Sequence, residues 1–502
     1  MYNSWVPERI RPWIYLLFAF LFQLSGGVYF SLNSHMMGAT GLMREDIQLI
    51  AMFGVVGVNM PFPFIFRFKM RFTNRQLMIN AAAVIIVCNI LCLYVRSLPL
   101  LCAISYVAGF FKLCGTFECF SNIRLWISPR QDFGVFLPAI YIIILAAAPA
   151  SNWTALWLTQ TLGSWQAMHW LMCVLMLVVI LSVYVLTHDF RFMPRVPLVS
   201  LDILGCLLWS AMMLEIIWLF TYGEYYNWWD SRIWREVLCA LPVTIAVCLL
   251  RSRRIRHPYI SFDIWQHWRM LPILGMFFVA EVMNATPHVM QNTLTGMLGF
   301  GWTTTKQLYL VEMAGAMAGC VFTIFWHRPL HQKYTRLLAV GLFVLVLHQV
   351  MMYFYVSQNL NMERLWLPTF LRTFGYAIFF STMTLYLKDL IEFPAFLMAL
   401  TVSGFIRNGV CESLCSGVYS YGLRLKLAEA MNRGLQSDIH QMVLTAVKES
   451  YGVVCIVGSV LFLLVLLYDA QPIRRSMFHM PGDQALLKRA RRQLGNLVQW
   501  HG

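Results

Sequence analysis

Eight ionisable side chains interrupt stretches that are otherwise apolar: Lys112, Glu118, Glu215, Glu281, Glu312, Arg372, Arg407 and Glu412. A charge at the centre of a membrane helix costs about 2.5 to 3.5 kcal/mol on insertion scales, so each one needs a reason to be there. Glu281, Asn284, His288 and Asn292 follow one another at spacings of three, four and four. That spacing lines one face of a helix made otherwise of Leu, Met, Phe, Val and Ala. A carboxylate on such a stripe could exchange a proton near neutral pH, with His288 on the same face. Packing of the stripe against polar groups of neighbouring helices is the alternative.

A second polar face comes from Ser403, Arg407, Asn408, Cys411 and Glu412. Glu118 and Asn122 are four apart and share a face with Gly115. At about 100° per residue Lys112 points about 120° away from Glu118, so the two are not a local pair. Gln23 and Asn33 add polar groups to the first apolar stretch, and Glu312 with Gly315 and Gly319 marks a small-residue face for close helix contact near the outer mouth. Glu215 reads as structural.

The elements that must position these groups are membrane helices. Of the 502 residues, 59% are hydrophobic and 12% charged, and the mean hydropathy is +0.63. The fold class is therefore an all-α polytopic membrane protein. About fourteen apolar runs are long enough for a bilayer core of ~30 Å, and they fall in the order six, two, six. The expected units are a six-helix bundle over 1–190, two extra helices with their loops over 191–262, a second six-helix bundle over 263–470, and a basic tail over 471–502. Periodic apolar residues predict a surface amphipathic helix over 425–448. The tail, with Lys488, Arg489, Arg491 and Arg492, suits an anionic leaflet.

The formal charge of +15 sits in short loops between spans, so it reports topology and not nucleic-acid binding. Alternate loops hold Arg67, Lys69, Arg71 and Arg75; Arg124 and Arg130; Arg191 and Arg195; Arg251, Arg253, Arg254 and Arg256; Arg328, Lys333 and Arg336; and then the basic tail, while the opposite loops hold less than half as many. Both termini are expected in the cytoplasm, and the N-terminus is read as a start anchor. The thirteen cysteines show no CxxC or His/Cys ligand spacing, so no metal site is expected. There is no phosphate-binding glycine loop and no nucleophile with a placed base, so an enzyme is not expected.

Motifs narrow the class. Asp202 and Gly205 open the seventh span, Gly223, Trp228, Trp229 and Ser231 form the turn to the eighth, and Pro258, Phe262 and Asp263 follow it. GSWQAMHWLM keeps Trp165 and Trp170 at the entry to span six, Ala148 and Pro149 stand in span five, and LRTFGYAIFF and FIRNGVCESL occupy spans twelve and thirteen. These stretches, spread over nearly the whole chain, resemble the fourteen-helix drug:proton antiporter family of the major facilitator superfamily. The loop FRFKMRFTNRQLM keeps Arg71 and Arg75 but lacks the family's Asp and both glycines. The span-one Asp and span-four Arg are also replaced.

The resemblance implies a major facilitator fold with 14 transmembrane helices arranged 6+2+6, the extra pair packing outside the two bundles. Its two bundles rock about a midplane cavity and exchange an amphiphilic small molecule for protons. It implies no cofactor, the proton gradient as energy source, and an inner-membrane location. A periplasmic adaptor and outer-membrane channel are possible partners, with 425–448 as the docking element. Glu281, Glu118 and Arg407 are the expected cavity residues, with His288, Asn284 and Lys112 beside them and Asn292, Glu412 and Gln23 as further candidates. Arg71, Arg75, Pro149, Asp202, Gly205 and Arg372 stand at structural or gating motif positions, and a structural role for Arg407 is as well supported as substrate contact. An uptake or uncoupled carrier, or a transport-inactive receptor or assembly partner, remain as alternatives.

Overall fold

The computed structural model describes residues 3, 6–26, 29–129, 132–189, 201–261, 270–330, 334–432 and 439–470. These form helices with no strand among the described residues. They are α1 (Arg11–Leu24), α2 (Asn33–Thr40), α3 (Arg44–Asn59), α4 (Ile65–Arg71), α5 (Asn74–Tyr94), α6 (Leu98–Ile127), α7 (Phe133–Leu162), α8 (Ala167–Leu186), α9 (Ile203–Thr221) and α10 (Arg232–Arg254). There follow α11 (Met270–Met297), α12 (Trp302–Leu330), α13 (Tyr334–Tyr355), α14 (Trp366–Leu390), α15 (Phe393–Phe405), α16 (Cys411–Asn432) and α17 (Ile439–Ala470). Nine of the described helices are long and apolar enough to cross a membrane. Taken in chain order the described helices make fourteen passes. The end where α1 begins is called proximal below and the other end distal.

Local sequence sets the helix ends. Thr73 accepts a bond from the Gln76 amide at 3.2 Å while the Gln76 side chain returns to the Thr73 amide at 3.3 Å, a capping box that starts α5. Asp132 caps α7 through the Gly134 amide at 2.8 Å, and Gly163 ends it in the left-handed region at φ +68°. Two passes that carry candidate polar groups are interrupted. α1 stops at Leu24 with Ser25 extended, and α15 reaches α16 only through a π turn, Ile406–Val410. Broken backbone at membrane depth is tolerated where protein or a cavity covers it.

The first half packs α6 against α1, α3 and α5, with α8 on α5; the second packs α14 against α12 and α13, and α11 against α16 and α17. The halves meet where α7 runs along α12 and where α3 meets the π turn and α15. At the proximal end Phe66 touches Phe393 with ring centroids 5.3 Å apart, Phe133 touches Phe393 at 6.3 Å, and the Lys388 ammonium lies 4.5 Å from the Phe133 centroid. At the distal end Lys306 donates to Gln160 at 2.7 Å.

Two expectations change here. The extra pair was expected outside both bundles, and only α10 lies there, with Trp234 and Cys248 its buried residues. α9 instead buries Cys206, Trp209, Met213 and Ile217 and wedges between α3 and α16, because its apolar residues cover more than one side. Residues 425–448 do not form one surface helix. They end α16 and begin α17, and Lys426 pairs with Glu449 across the reversal. A continuous helix would hold those two residues about 35 Å apart. Leu444 and Val447 are buried in a cluster with Leu308, Met352 and Tyr451, and Val443 and Ala446 of the periodic set are buried as well. The tail 471–502 lies outside the described residues.

Candidate functional site

The acid on the α11 stripe is packed, not solvated. Glu281 is 3% exposed and accepts a hydrogen bond from the Tyr376 hydroxyl of α14, with the Asn284 side chain as a further partner. Arg407 comes from the π turn, a helical irregularity that frequently marks functional positions. Its guanidinium lies 4.5 Å from the Phe380 centroid and within electrostatic reach of Glu281, and it is hydrogen-bonded to Tyr376. Glu412 stands five residues on, partly exposed, within reach of the Glu281 charge. No described side chain forms an ion pair or hydrogen bond with it.

The first half touches this cluster through α7. Tyr141 meets the Phe380 ring edge-on at 4.8 Å, bonds Thr384 through its hydroxyl and lies within electrostatic reach of Arg407. The cluster therefore sits where the halves join, with Arg407 acting on Glu281 and Glu412 within reach of Glu281. On the α6 side Gln23 donates to the Thr116 hydroxyl at 3.2 Å, and that hydroxyl donates to the Lys112 carbonyl at 2.8 Å. Lys112 is partly exposed, and no charged group lies near its ammonium among the described residues.

Glu118, expected with these residues, stands apart from them. It is 1% exposed and pairs with Lys69 of α4 at 3.4 Å, while Asn122 donates to it at 3.0 Å. The reason is rotational: six residues past Lys112, it points about 120° away and faces α4. His288 and Asn292 lie on α11, but their side chains, like those of Asn33 and Asn408, are outside the described residues.

The motif residues are placed at joints. Asp202 caps α9 through the Gly205 amide at 2.9 Å, receives Arg251 at 2.7 Å and accepts the Tyr259 amide at 3.1 Å. Gly205 is required because a Cβ there would overlap the Asp202 carboxylate. The Tyr259 hydroxyl then donates to the Met60 carbonyl at 2.8 Å, fixing this joint to the first half. Arg372 pairs with Glu312 and donates to the Asn284 carbonyl at 3.1 Å, joining α14, α12 and α11. Glu312 is 8% exposed within this pair. Arg75 reaches the Tyr184 carbonyl at 3.0 Å and lies over its ring, Arg71 ends α4, and Pro149 sits inside α7.

Sequence reasoning missed Tyr376, Tyr141 and Lys69, and a buried network in which His169 and the Tyr29 hydroxyl meet the Asn89 side-chain oxygen Oδ1 at 3.0 and 3.3 Å. Tyr141 and Tyr376 are two of 21 tyrosines with no distinguishing spacing. Lys69 was counted only as a loop charge.

The sequence matches no family model and no curated protein. Solved structures do match. A structure from proton-dependent oligopeptide transporters is 14% identical, with 92% of this chain and 98% of that chain covered at a TM-score of 0.56. The nucleoside transporter NupG is 11% identical, with 91% and 99% covered at 0.52, and the human organic anion transporter MFSD10 is 11% identical, with 90% and 100% covered at 0.53. At such identities the likeness shows the fold alone: this is an all-helical, multi-pass membrane protein of the major facilitator fold.

Proposed function

We propose that the protein is a secondary active transporter in which Glu281, Glu412 and Arg407 couple the movement of a small molecule to protons. The observation that carries this reading is the charge count at the join. Glu281 and Glu412 lie within electrostatic reach of each other, and the one guanidinium, Arg407, acts on Glu281. One carboxylate is left without a countercharge in a site poor in water, and a bound proton removes that cost. Because Tyr376 and Arg407 come from different passes of the second half and Tyr141 comes from the first, a change at Glu281 is felt where the halves move against each other. Export of an amphiphilic compound in exchange for protons is the direction this reading takes, with both termini in the cytoplasm as the loop charges favour.

The test is proteoliposomes holding a pH-sensitive dye, challenged with nucleosides, peptides, organic anions and amphiphilic drugs in turn. A transported compound should change the lumenal pH, and the sign separates exchange from co-transport. No pH response to any class, in vesicles that retain folded protein, rejects proton coupling. A response that survives Glu281→Gln rejects the residue assignment.

A further inference from the structure

Among the described residues the Lys112 ammonium has no ion-pair or hydrogen-bond partner. α6 is packed by α1, α3 and α5, and among the described residues the groups tied to the Lys112 turn are neutral: Thr116 on its carbonyl and Gln23 on Thr116. Lys69, the other cation near α6, has Glu118, and Arg407 has Tyr376 and Glu281. Arg372 has Glu312. Among these cations within the passes Lys112 alone is without a described partner, and no described carboxylate is close enough to act on it. Desolvating an ammonium costs several kcal/mol, and an unpaired one recovers none of it. A folded chain carries such a cost where the missing charge arrives from outside.

We propose that Lys112 is the docking point for the anionic group of the transported substrate, which is a small organic anion with a carboxylate or phosphate head. This deepens the transport reading above and rests on it. Lys112 is partly exposed, and it lies in the first half while Glu281 and Glu412 lie in the second. Substrate and proton are thereby held by opposite halves. Repulsion from Glu281 and Glu412 would hold the anion head on the Lys112 side, and the neutral body of the substrate would span the gap.

The experiment uses the full chain in nanodiscs of phosphatidylcholine alone, which supply no anionic lipid. Thermal unfolding is followed with matched pairs: phenylpropionate against phenylpropionamide, and adenosine monophosphate against adenosine. The anionic member of at least one pair should stabilise the wild type with ~10-fold or greater preference over its neutral partner, and whether that is the carboxylate or the phosphate identifies the head group. Lys112→Met should erase the preference and, with no ligand present, should unfold at the same or a higher temperature than wild type, because it removes an uncompensated charge. Lys112→Arg should keep part of the preference. Equal stabilisation by neutral partners, a preference that survives Lys112→Met, or a ligand-free Lys112→Met protein that is markedly less stable would each overturn the proposal. Proton movement driven by neutral compounds and unaltered by Lys112→Met would reject it while leaving proton-coupled transport standing. An anion preference without any proton movement in liposomes would reject coupling and leave the anion site.

Discussion

Arg251 donates from both Nε and Nη2 to one oxygen of Asp202, at 3.1 and 2.7 Å, and so closes the α9–α10 pair at its proximal end. The same carboxylate caps α9 and receives the Tyr259 amide, so one side chain serves three elements. Asp202→Ala removes a cap worth about 1 kcal/mol and leaves Arg251 unpaired in a partly covered site, for a total of about 2 to 4 kcal/mol. Thermal unfolding in detergent should show a clear drop in midpoint. Asp202→Asn should keep part of the cap and fall between. An unchanged midpoint for Asp202→Ala would show that the joint does not hold the pair.

The Lys69–Glu118 pair yields the next expectation. Both side chains are largely covered, at 13% and 2% exposure, and one Glu118 oxygen has no hydrogen bond. Removing one partner of such a pair costs about 3 to 5 kcal/mol, whereas replacing both by apolar groups of similar size is close to neutral. Lys69→Met and Glu118→Leu should each destabilise the protein, and the double variant should recover most of the loss. Additive losses in the double-mutant cycle would refute the pairing.

The central cluster predicts a contrast with Glu118. Glu281→Gln keeps the shape of the side chain and a hydrogen-bond partner for Tyr376, so folding should change little while substrate-driven proton movement falls by tenfold or more. Tyr376→Phe should reduce the rate less, since Asn284 and Arg407 still face the acid. Glu118→Gln should affect stability and leave the pH response per molecule of folded protein intact. Liposome assays normalised to folded protein decide this, and equal losses for Glu281→Gln and Glu118→Gln would return Glu118 to the coupling site.

These contrasts show what a linear reading captures. Membrane passes are legible because a bilayer demands about twenty apolar residues, and Asp202 with Gly205 is legible because a cap and a close approach fix both identities. Helical spacing also separated Lys112 from Glu118 correctly. It could not name the partner of Glu118, since Lys69 lies 49 residues away on a short helix that composition reads as a loop. Nor could spacing separate one surface helix from two helix ends at residues 425–448, because both repeat apolar residues every three or four positions. Tyr376 was invisible for a related reason: its role comes from a bond to a residue 95 positions earlier.

The proximal aromatic contact carries the last prediction. Phe66 and Phe393 belong to different halves and meet at 5.3 Å, while Phe66 also rests on Phe117 of α6 at 5.3 Å. If the halves rock about the central cluster, this contact must open once in every cycle. Phe66→Cys with Phe393→Cys, in a Cys239→Ser background that removes an exposed thiol, places two sulfhydryls across the join. A short bifunctional maleimide should link them and stop transport, whereas the single-cysteine variants treated alike should keep it. The reagent should link less when a bound substrate favours the state open at this end. Full transport by the linked protein would mean that the proximal ends never part, and the rocking motion would have to be abandoned.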